Sequence, residues 1–151
     1  MDKLVSTYRR PLWIMRKVVD PLILFLVGRM GLDDHNGTRV IEVQGRRSGE
    51  WRGTPVKLLE LNGQRYLVAM YGKTSWVKNL RASGCGRLRL GKHSMEFRAV
   101  EIPNAEKLPI LRAYLQRWWS LVARITTISS PDAQDDEIVK AAPLYPIFRA
   151  E

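Results

Sequence analysis

The sequence predicts one α+β domain, mainly β, in which a small antiparallel barrel is flanked by helices. A chain of 151 residues has room for one domain, and its 45% hydrophobic share is enough for a core. Between residues 39 and 102 apolar positions alternate, and on both sides the period is helical. We therefore expect a single domain over 1–151, with an N-terminal helical segment at 1–31, the barrel at 38–103 and C-terminal helices at 104–142.

About five strands are expected, at 39–44, 54–61, 64–71, 87–90 and 95–102. In the first, Ile41 and Val43 alternate with Val40, Glu42 and Gln44, which is typical of a half-buried strand. The second and third flank Asn62-Gly63, a dipeptide that favours a tight hairpin because a type I′ turn needs positive φ at both central residues. A short helix at 74–82, ended by Ser83-Gly84, precedes the second hairpin. His93 is expected in that hairpin's turn.

A helical stripe follows the barrel, formed by Leu108, Leu111, Leu115, Trp118 and Val122 at spacings of three and four. Tyr114, Leu115, Trp118 and Trp119 either pack on the core or form an apolar wall for a lipophilic ligand. Ser130-Pro131-Asp132 predicts the start of a short acidic helix, with Ser130 as its cap. The end of the chain, APLYPIF, is interpreted as extended and Pro-rich.

The N-terminal segment is apolar but too short to cross a bilayer. Its longest charge-free run is PLILFLVG, at residues 21–28, well below the roughly 20 residues that a spanning helix needs. No signal peptide is evident, so we expect a cytoplasmic protein. Residues 1–30 form a basic amphipathic pattern with two interpretations: packing on the domain's own core, or contact with an anionic membrane surface, which would make the protein peripheral on the inner membrane.

The net charge of +10 favours an anionic partner. The excess lies in the first hundred residues, because residues 101–151 carry six basic and seven acidic side chains. Nucleic acid is not expected as a partner, since aromatic side chains are not interleaved with the basic strands. His35, His93 and Cys85 have no metal-ligand spacing, so no metal site is expected, and Cys85 is interpreted as a small buried or turn residue.

The segment GRRSGEWRGTP, residues 45–55, is the best candidate for an anion site. Two glycines bracket Arg46, Arg47 and Ser48, and Arg52 follows. Such a loop can direct backbone N–H groups, a hydroxyl and guanidinium groups at one phosphate or carboxylate. A solvated basic surface is the alternative.

A second anion-friendly corner lies at Tyr71-Gly72-Lys73, directly before a predicted helix start. Trp76 and Asn79 follow three residues apart and can share a helix face. Ordinary packing of Trp76 and exposure of Asn79 is the alternative.

With GRRSG at 45–49 and the W-x-x-N-L element at 76–80, the sequence resembles the deazaflavin-dependent nitroreductases, which use coenzyme F420. The similarity runs from about residue 39 to 102. It implies a split β-barrel fold of the FMN-binding type, often dimeric, so that a monomer or a homodimer is expected. It also implies F420 as cofactor, with FMN as a less favoured alternative.

The resemblance also implies roles for individual residues. Arg46, Arg47 and Ser48 would meet the cofactor's phosphate and polyglutamate tail, with Arg52 adding charge. Thr54, Pro55 and Val56 would line the ring. Gly72 and Lys73 would close over the phosphate side of the cofactor. Trp76 and Asn79 would support the turn that contains Gly72 and Lys73. Val56-Lys57 stands where members that reduce nitroimidazoles tend to carry a tyrosine, so nitro reduction is not assumed.

The implied activity is hydride transfer between F420 and an electron-poor, lipophilic small-molecule acceptor such as a quinone or an enone. The cofactor would supply the chemistry and the protein its position and electrostatics. Tyr71, Lys57 or water would donate the proton. The alternative is a barrel that binds a cofactor, fatty acid or other lipid without turnover.

Overall fold

The computed structural model describes residues 37–151 as six strands and three α-helices. The predicted N-terminal segment at 1–31 and His35 lie outside the described residues. In chain order the elements are β1 Thr38–Gln44, β2 Trp51–Leu61, β3 Gln64–Val68, α1 Ser75–Ser83, β4 Cys85–Leu90, β5 His93–Glu101, α2 Leu108–Val122, α3 Asp135–Ala141 and β6 Ile147–Ala150.

The strands form a closed antiparallel barrel in the order β1-β2-β3-β6-β5-β4, with β4 paired back to β1. The α+β barrel with flanking helices is therefore confirmed. The expectation of five strands is wrong by one, because β6 enters between β3 and β5. It lies beyond the 38–103 segment, in the part of the chain that was interpreted only as extended. Two prolines, Pro143 and Pro146, precede this four-residue strand and obscure its strand pattern.

The barrel interior is filled by the inward row of each strand. Ile41 and Val43 of β1 are at most 1% exposed and pack with Leu58, Leu67, Leu88, Phe97 and Phe148, among others. The alternation predicted for β1 is thus confirmed. The first hairpin is also confirmed, since Asn62 and Gly63 have φ of 52° and 76°, as a type I′ turn requires. Helix α1 adds Val77 and Leu80, both fully buried, to the same cluster.

A second core lies outside the barrel, where α2 packs on the outward residues of β2 and β3 and α3 packs on α2. Leu59 and Val68 meet the predicted stripe of α2 there, together with Ile138 and Tyr145. Of the four residues considered for an apolar wall, Tyr114, Leu115 and Trp118 are at most 6% exposed, and Trp119 is half-buried. Tyr114, Leu115 and Trp118 therefore pack on the core and do not form a wall for a ligand.

Several boundaries differ from the predicted ones. Helix α3 begins at Asp135, because the Ser130 hydroxyl accepts a hydrogen bond from the Asp132 N–H (3.0 Å) in a turn instead of capping a helix. Three acidic residues in its first turn favour the later start. Cys85 is exposed and begins β4, so it is neither buried nor in a turn, and His93 is the first residue of β5. Strand β3 ends at Val68, not at Tyr71.

None of the helices within residues 37–151 has the length and apolar character needed to cross a membrane.

Tyr114 should make the free energy of unfolding depend on pH in the alkaline range. It is buried, its ring centroid lies 4.8 Å from that of Trp118, and burial together with nearby Tyr71 raises the pKa of its phenol. Above pH 10 the unfolded chain loses this proton while the folded chain keeps it. The free energy of unfolding should therefore fall by up to about 1.4 kcal/mol per pH unit from this group.

Urea unfolding of the wild type and Tyr114→Phe at pH 8 and pH 11 measures this dependence. The variant should lose less stability between the two pH values than the wild type. Tyr66→Phe, on β3, is the control and should behave as the wild type does. Equal losses for all three proteins would contradict the assignment.

Candidate active site

The arginine loop, residues 45–50, is a compact turn between β1 and β2. The Gly45 N–H donates to the Glu50 carbonyl (2.7 Å), and the Gly49 N–H donates to the Gly45 carbonyl (2.8 Å). The Ser48 hydroxyl accepts the Glu50 N–H (3.2 Å), so that side chain helps to close the turn. Arg46 and Arg47 are exposed on it. The loop therefore has a fixed backbone that presents two guanidinium groups.

Asn79 joins this loop to helix α1. Its Oδ1 accepts two hydrogen bonds from Arg46, one from the backbone N–H (3.1 Å) and one from Nη1 of the guanidinium (2.8 Å). The Asn79 side chain is only 4% exposed, so the alternative of a solvent-facing residue is wrong. It contacts the arginine loop, whereas the family resemblance implied that it would support the turn at 71–73. Two segments 33 residues apart are thereby held together.

The turn at residues 69–74 leads into α1. Its backbone is closed by the Gly72 N–H to the Ala69 carbonyl (3.1 Å) and the Thr74 N–H to the Gly72 carbonyl (2.8 Å). Gly72 is buried with φ of 81°, a conformation that favours glycine. Lys73 is exposed. Trp76 is half-buried, with its ring centroid 6.2 Å from that of Phe148, and it packs on the barrel core.

Thr74 immediately precedes α1 and leaves a polar atom without a protein partner. Its Oγ1 is buried and, among residues 37–151, makes no hydrogen bond, and it does not cap the helix. Buried hydroxyls are ordinarily paired. An anion at this helix start would provide an acceptor, and the helix N-terminus favours negative charge.

Strand β2 carries the remaining candidates. Arg52 is exposed, whereas Thr54, Pro55, Val56 and Lys57 are half-buried. Val56 packs on the barrel core, and the alternation of a strand puts Thr54 on the same face. Pro55 and Lys57 therefore belong to the opposite face. The Lys57 ammonium donates to the Thr38 hydroxyl on β1.

Tyr71, the other candidate proton donor, is half-buried and lies close enough to Tyr114 to affect its pKa.

The structure also brings residues to the site that sequence reasoning missed. The Arg87 guanidinium lies 3.7 Å from the centroid of the Trp51 ring, beside the arginine loop. Trp51 is 43% exposed, and the Arg87 Nε is buried without a hydrogen bond in the described part of the chain. Two strand registers bring them together: the β1–β2 register places Trp51 opposite Gln44, and the β1–β4 register places Arg87 opposite Glu42. No local sequence signal indicates how these two registers combine.

The donor set suits a large anion more than a metal. Within residues 37–151, no group of three His, Cys, Asp or Glu side chains could hold a metal ion. Arg46, Arg47 and Lys73 are exposed cations on two turns, Arg52 is an exposed cation at the start of β2, and Thr74 adds a buried hydroxyl without a partner among these residues. Guanidinium groups bind phosphate and carboxylate in the same fork geometry. A deazaflavin bearing a phosphodiester and several carboxylates fits these residues.

Comparisons with known proteins agree with this architecture. Residues 25–129 match the family described as F420H(2)-dependent quinone reductase. An F420-H2 dependent reductase, FDR-A, has a similar structure, with a TM-score of 0.55, 20% identity and coverage of 76% of this chain and 94% of that one.

Two further solved structures share the fold. A protein solved as a domain-swapped dimer has a TM-score of 0.55 at 19% identity, covering 92% of this chain and 97% of that one. HutZ, a haem storage protein from Vibrio cholerae, has a TM-score of 0.51 at 9% identity, covering 77% and 81%. No curated protein matches the chain.

Replacing Asn79 should loosen the arginine loop. In Asn79→Ala, the Arg46 N–H and guanidinium lose their shared acceptor, and we expect a loss of about 1–3 kcal/mol in the free energy of unfolding. Hydrogen exchange at the Arg46 amide should quicken. Lys78→Ala, at the exposed neighbouring position of α1, is the control. Unchanged exchange at Arg46 in Asn79→Ala would argue against the link.

Proposed function

The chain belongs to the F420H(2)-dependent quinone reductase family, and on that premise we propose that it transfers a hydride from reduced F420 to a lipophilic quinone or enone. F420 is the cofactor and the protein is an oxidoreductase. The observation that carries the proposal is the pair of hydrogen bonds from Arg46 to buried Asn79. They hold the arginine loop against the middle of α1, and at the start of the same helix the buried Thr74 hydroxyl has no hydrogen-bond partner within residues 37–151.

The cofactor's anionic part would be held by two turns. Arg46, Arg47 and Arg52 would neutralise phosphate and carboxylate charge, and Ser48 would shape the loop that presents them. On the other turn, Gly72 and Lys73 would close over the phosphate with the N-terminus of α1 behind them. Trp76 would fix this turn through its packing on Phe148.

The ring would lie beside β2 at Thr54, Pro55 and Val56, of which Thr54 and Val56 share the face that meets the barrel core and Pro55 belongs to the other. These residues are half-buried and uncharged, so they can exclude water without competing for the reacting atoms.

The chemistry divides between cofactor and protein. When bound, the reduced deazaflavin supplies the hydride. Reduction of a quinone to a quinol needs that hydride and one proton, so the protein must deliver or admit a proton at the acceptor oxygen. Tyr71 and Lys57 are the candidate donors, and water is the third. The Lys57 ammonium is oriented by the Thr38 hydroxyl, which limits the positions it can reach.

A barrel that binds F420 or a lipid without turnover is the second candidate. The observation in its favour is the structural likeness to HutZ, described as a haem storage protein. A fold can serve both storage and catalysis, so the choice depends on the site and on a direct assay.

Binding of F420 is the first test. We expect the wild type to bind F420 in a fluorescence titration, and Arg46→Ala with Arg47→Ala to weaken binding by roughly tenfold or more, because each loses a charge-assisted hydrogen bond. The loss should shrink as salt rises.

Lys92→Ala is the matched control for that titration, because Lys92 lies at the β4–β5 turn, near the start of β1 and away from the arginine loop. FMN titrated in parallel should bind more weakly. No F420 binding by the wild type would refute the proposal.

Turnover is the second test. The wild type should oxidise reduced F420 in the presence of a quinone from a panel of graded lipophilicity. If Tyr71 donates the proton, Tyr71→Phe should lower kcat at least tenfold while the Kd for F420 stays unchanged. Lys57→Met tests the other donor in the same way. Unchanged kcat in both variants would leave water as the donor, and F420 binding without oxidation by any quinone would favour the storage candidate.

A further inference from the structure

A cavity of about 560 Å³ lies beside the proposed cofactor site, between the end of β5, the start of α2 and the segment that leads into β6. Lys73, which the proposed function puts next to the cofactor's phosphate, forms part of the cavity's lining. The other charged side chains that line it are Arg81, Glu101 and Lys107. Three cations therefore face one anion.

Arg81 and Glu101 form a pair within this lining. The Arg81 Nε and Nη2 donate to the two carboxylate oxygens of Glu101 at 2.8 and 2.6 Å. This hydrogen-bonded pair raises the pKa of the guanidinium. It also neutralises Glu101, so the two ammonium groups of Lys73 and Lys107 are the charge left over in the cavity.

Lys107 is unusual because it is a buried cation. The residue is 3% exposed, and within residues 37–151 its Nζ donates one hydrogen bond, to the Ala142 carbonyl (3.1 Å). An ammonium can donate three. It stands just before α2, where a positive charge opposes the helix dipole. Burial lowers the pKa of Lys107, and the neighbouring Arg81 lowers it further, although Glu101 raises it.

An anion in the cavity would compensate the buried positive charge of Lys107. The size of the cavity indicates which kind of anion it could hold. The cavity is open to solvent, and its volume of about 560 Å³ is far larger than one inorganic anion fills. Pro103, Pro143 and Pro146 give it apolar walls. A chain with methylene groups and more than one carboxylate fits such walls and a lining that carries two ammonium groups.

We propose that this cavity binds the carboxylates of a flexible polycarboxylate, with Lys107 and Lys73 as the charged contacts. Two sources have this chemistry: the glutamate tail of the cofactor, which rests on the function proposed above, and a free organic acid, which does not. In both, Glu101 acts as a competing anion whose removal strengthens binding.

Calorimetric titration of the full chain with γ-linked triglutamate and with glutarate tests the cavity. The wild type should bind at least one of them. Lys107→Met should weaken binding about tenfold or more, because a charge-assisted contact is lost. Glu101→Gln should strengthen it several-fold, a change that partial unfolding cannot produce. Lys78→Gln, an exposed lysine of the same helix as Arg81 that does not line the cavity, should match the wild type.

Two results would overturn the proposal: no binding of either probe by the wild type, or equal affinities in the wild type, Lys107→Met and Glu101→Gln. Should Lys107→Met fail to fold, Glu101→Gln decides the matter alone, since Glu101 is exposed and its replacement is tolerated sterically.

F420 with and without its glutamate tail distinguishes the two sources. Tighter binding of the tailed form, lost in Lys107→Met, would assign the cavity to the cofactor. Equal binding of the two forms, with glutarate still bound, would assign it to a free acid. If neither form of F420 binds, the proposed function fails, while the triglutamate and glutarate titrations still decide whether the cavity holds carboxylates.

Discussion

The pairing of β6 with both β3 and β5 is the interaction on which the rest of the structure depends. Four residues, Ile147–Ala150, supply the hydrogen bonds that close the barrel and place Phe148 in its interior. At the strand's end, Glu151 exchanges backbone hydrogen bonds with Arg98 (2.9 Å each). Without β6, β3 and β5 would each have an open edge, and the interior core would lose a wall.

The site at the arginine loop is a consequence of this closure. Phe148 is the residue against which Trp76 packs, and Trp76 lies one turn before Asn79 on α1. Asn79 in turn holds Arg46. A chain of contacts therefore runs from the last strand through α1 to a loop near the first strand. The cavity lined by Lys73 and Lys107 also depends on β6, because Pro146, which directly precedes that strand, forms one of the cavity's walls.

Much of the barrel could be predicted because its signals are local. Alternation in β1, the Asn62-Gly63 turn and the stripe of α2 depend on neighbours a few residues away. β6 could not be predicted in the same way, because it is a short strand and its pairing depends on residues far away in the chain. The start of α3 was also not predicted, because a serine side chain forms a turn there where a helix cap was expected.

The candidate site divides in the same way. The arginine loop is recognisable from its own residues, whereas the contact of Asn79 with it spans 33 positions. Lys107 is recognisable in the sequence only as a positive charge directly before a helix. Its burial depends on the packing of the segment around Ala142. The stacking of Arg87 on Trp51 has no such signal, because it follows from strand register alone.

The position of β6 also affects when the protein can acquire its fold during synthesis. β1 begins at Thr38, and the strand that completes the barrel begins at Ile147. Chains emerge from the ribosome at about 5–20 residues per second, so the first hairpin waits several seconds for the strand that closes the sheet. During that interval β3 and β5 are exposed edges in an incomplete barrel, available to chaperones or to pairing with another nascent chain.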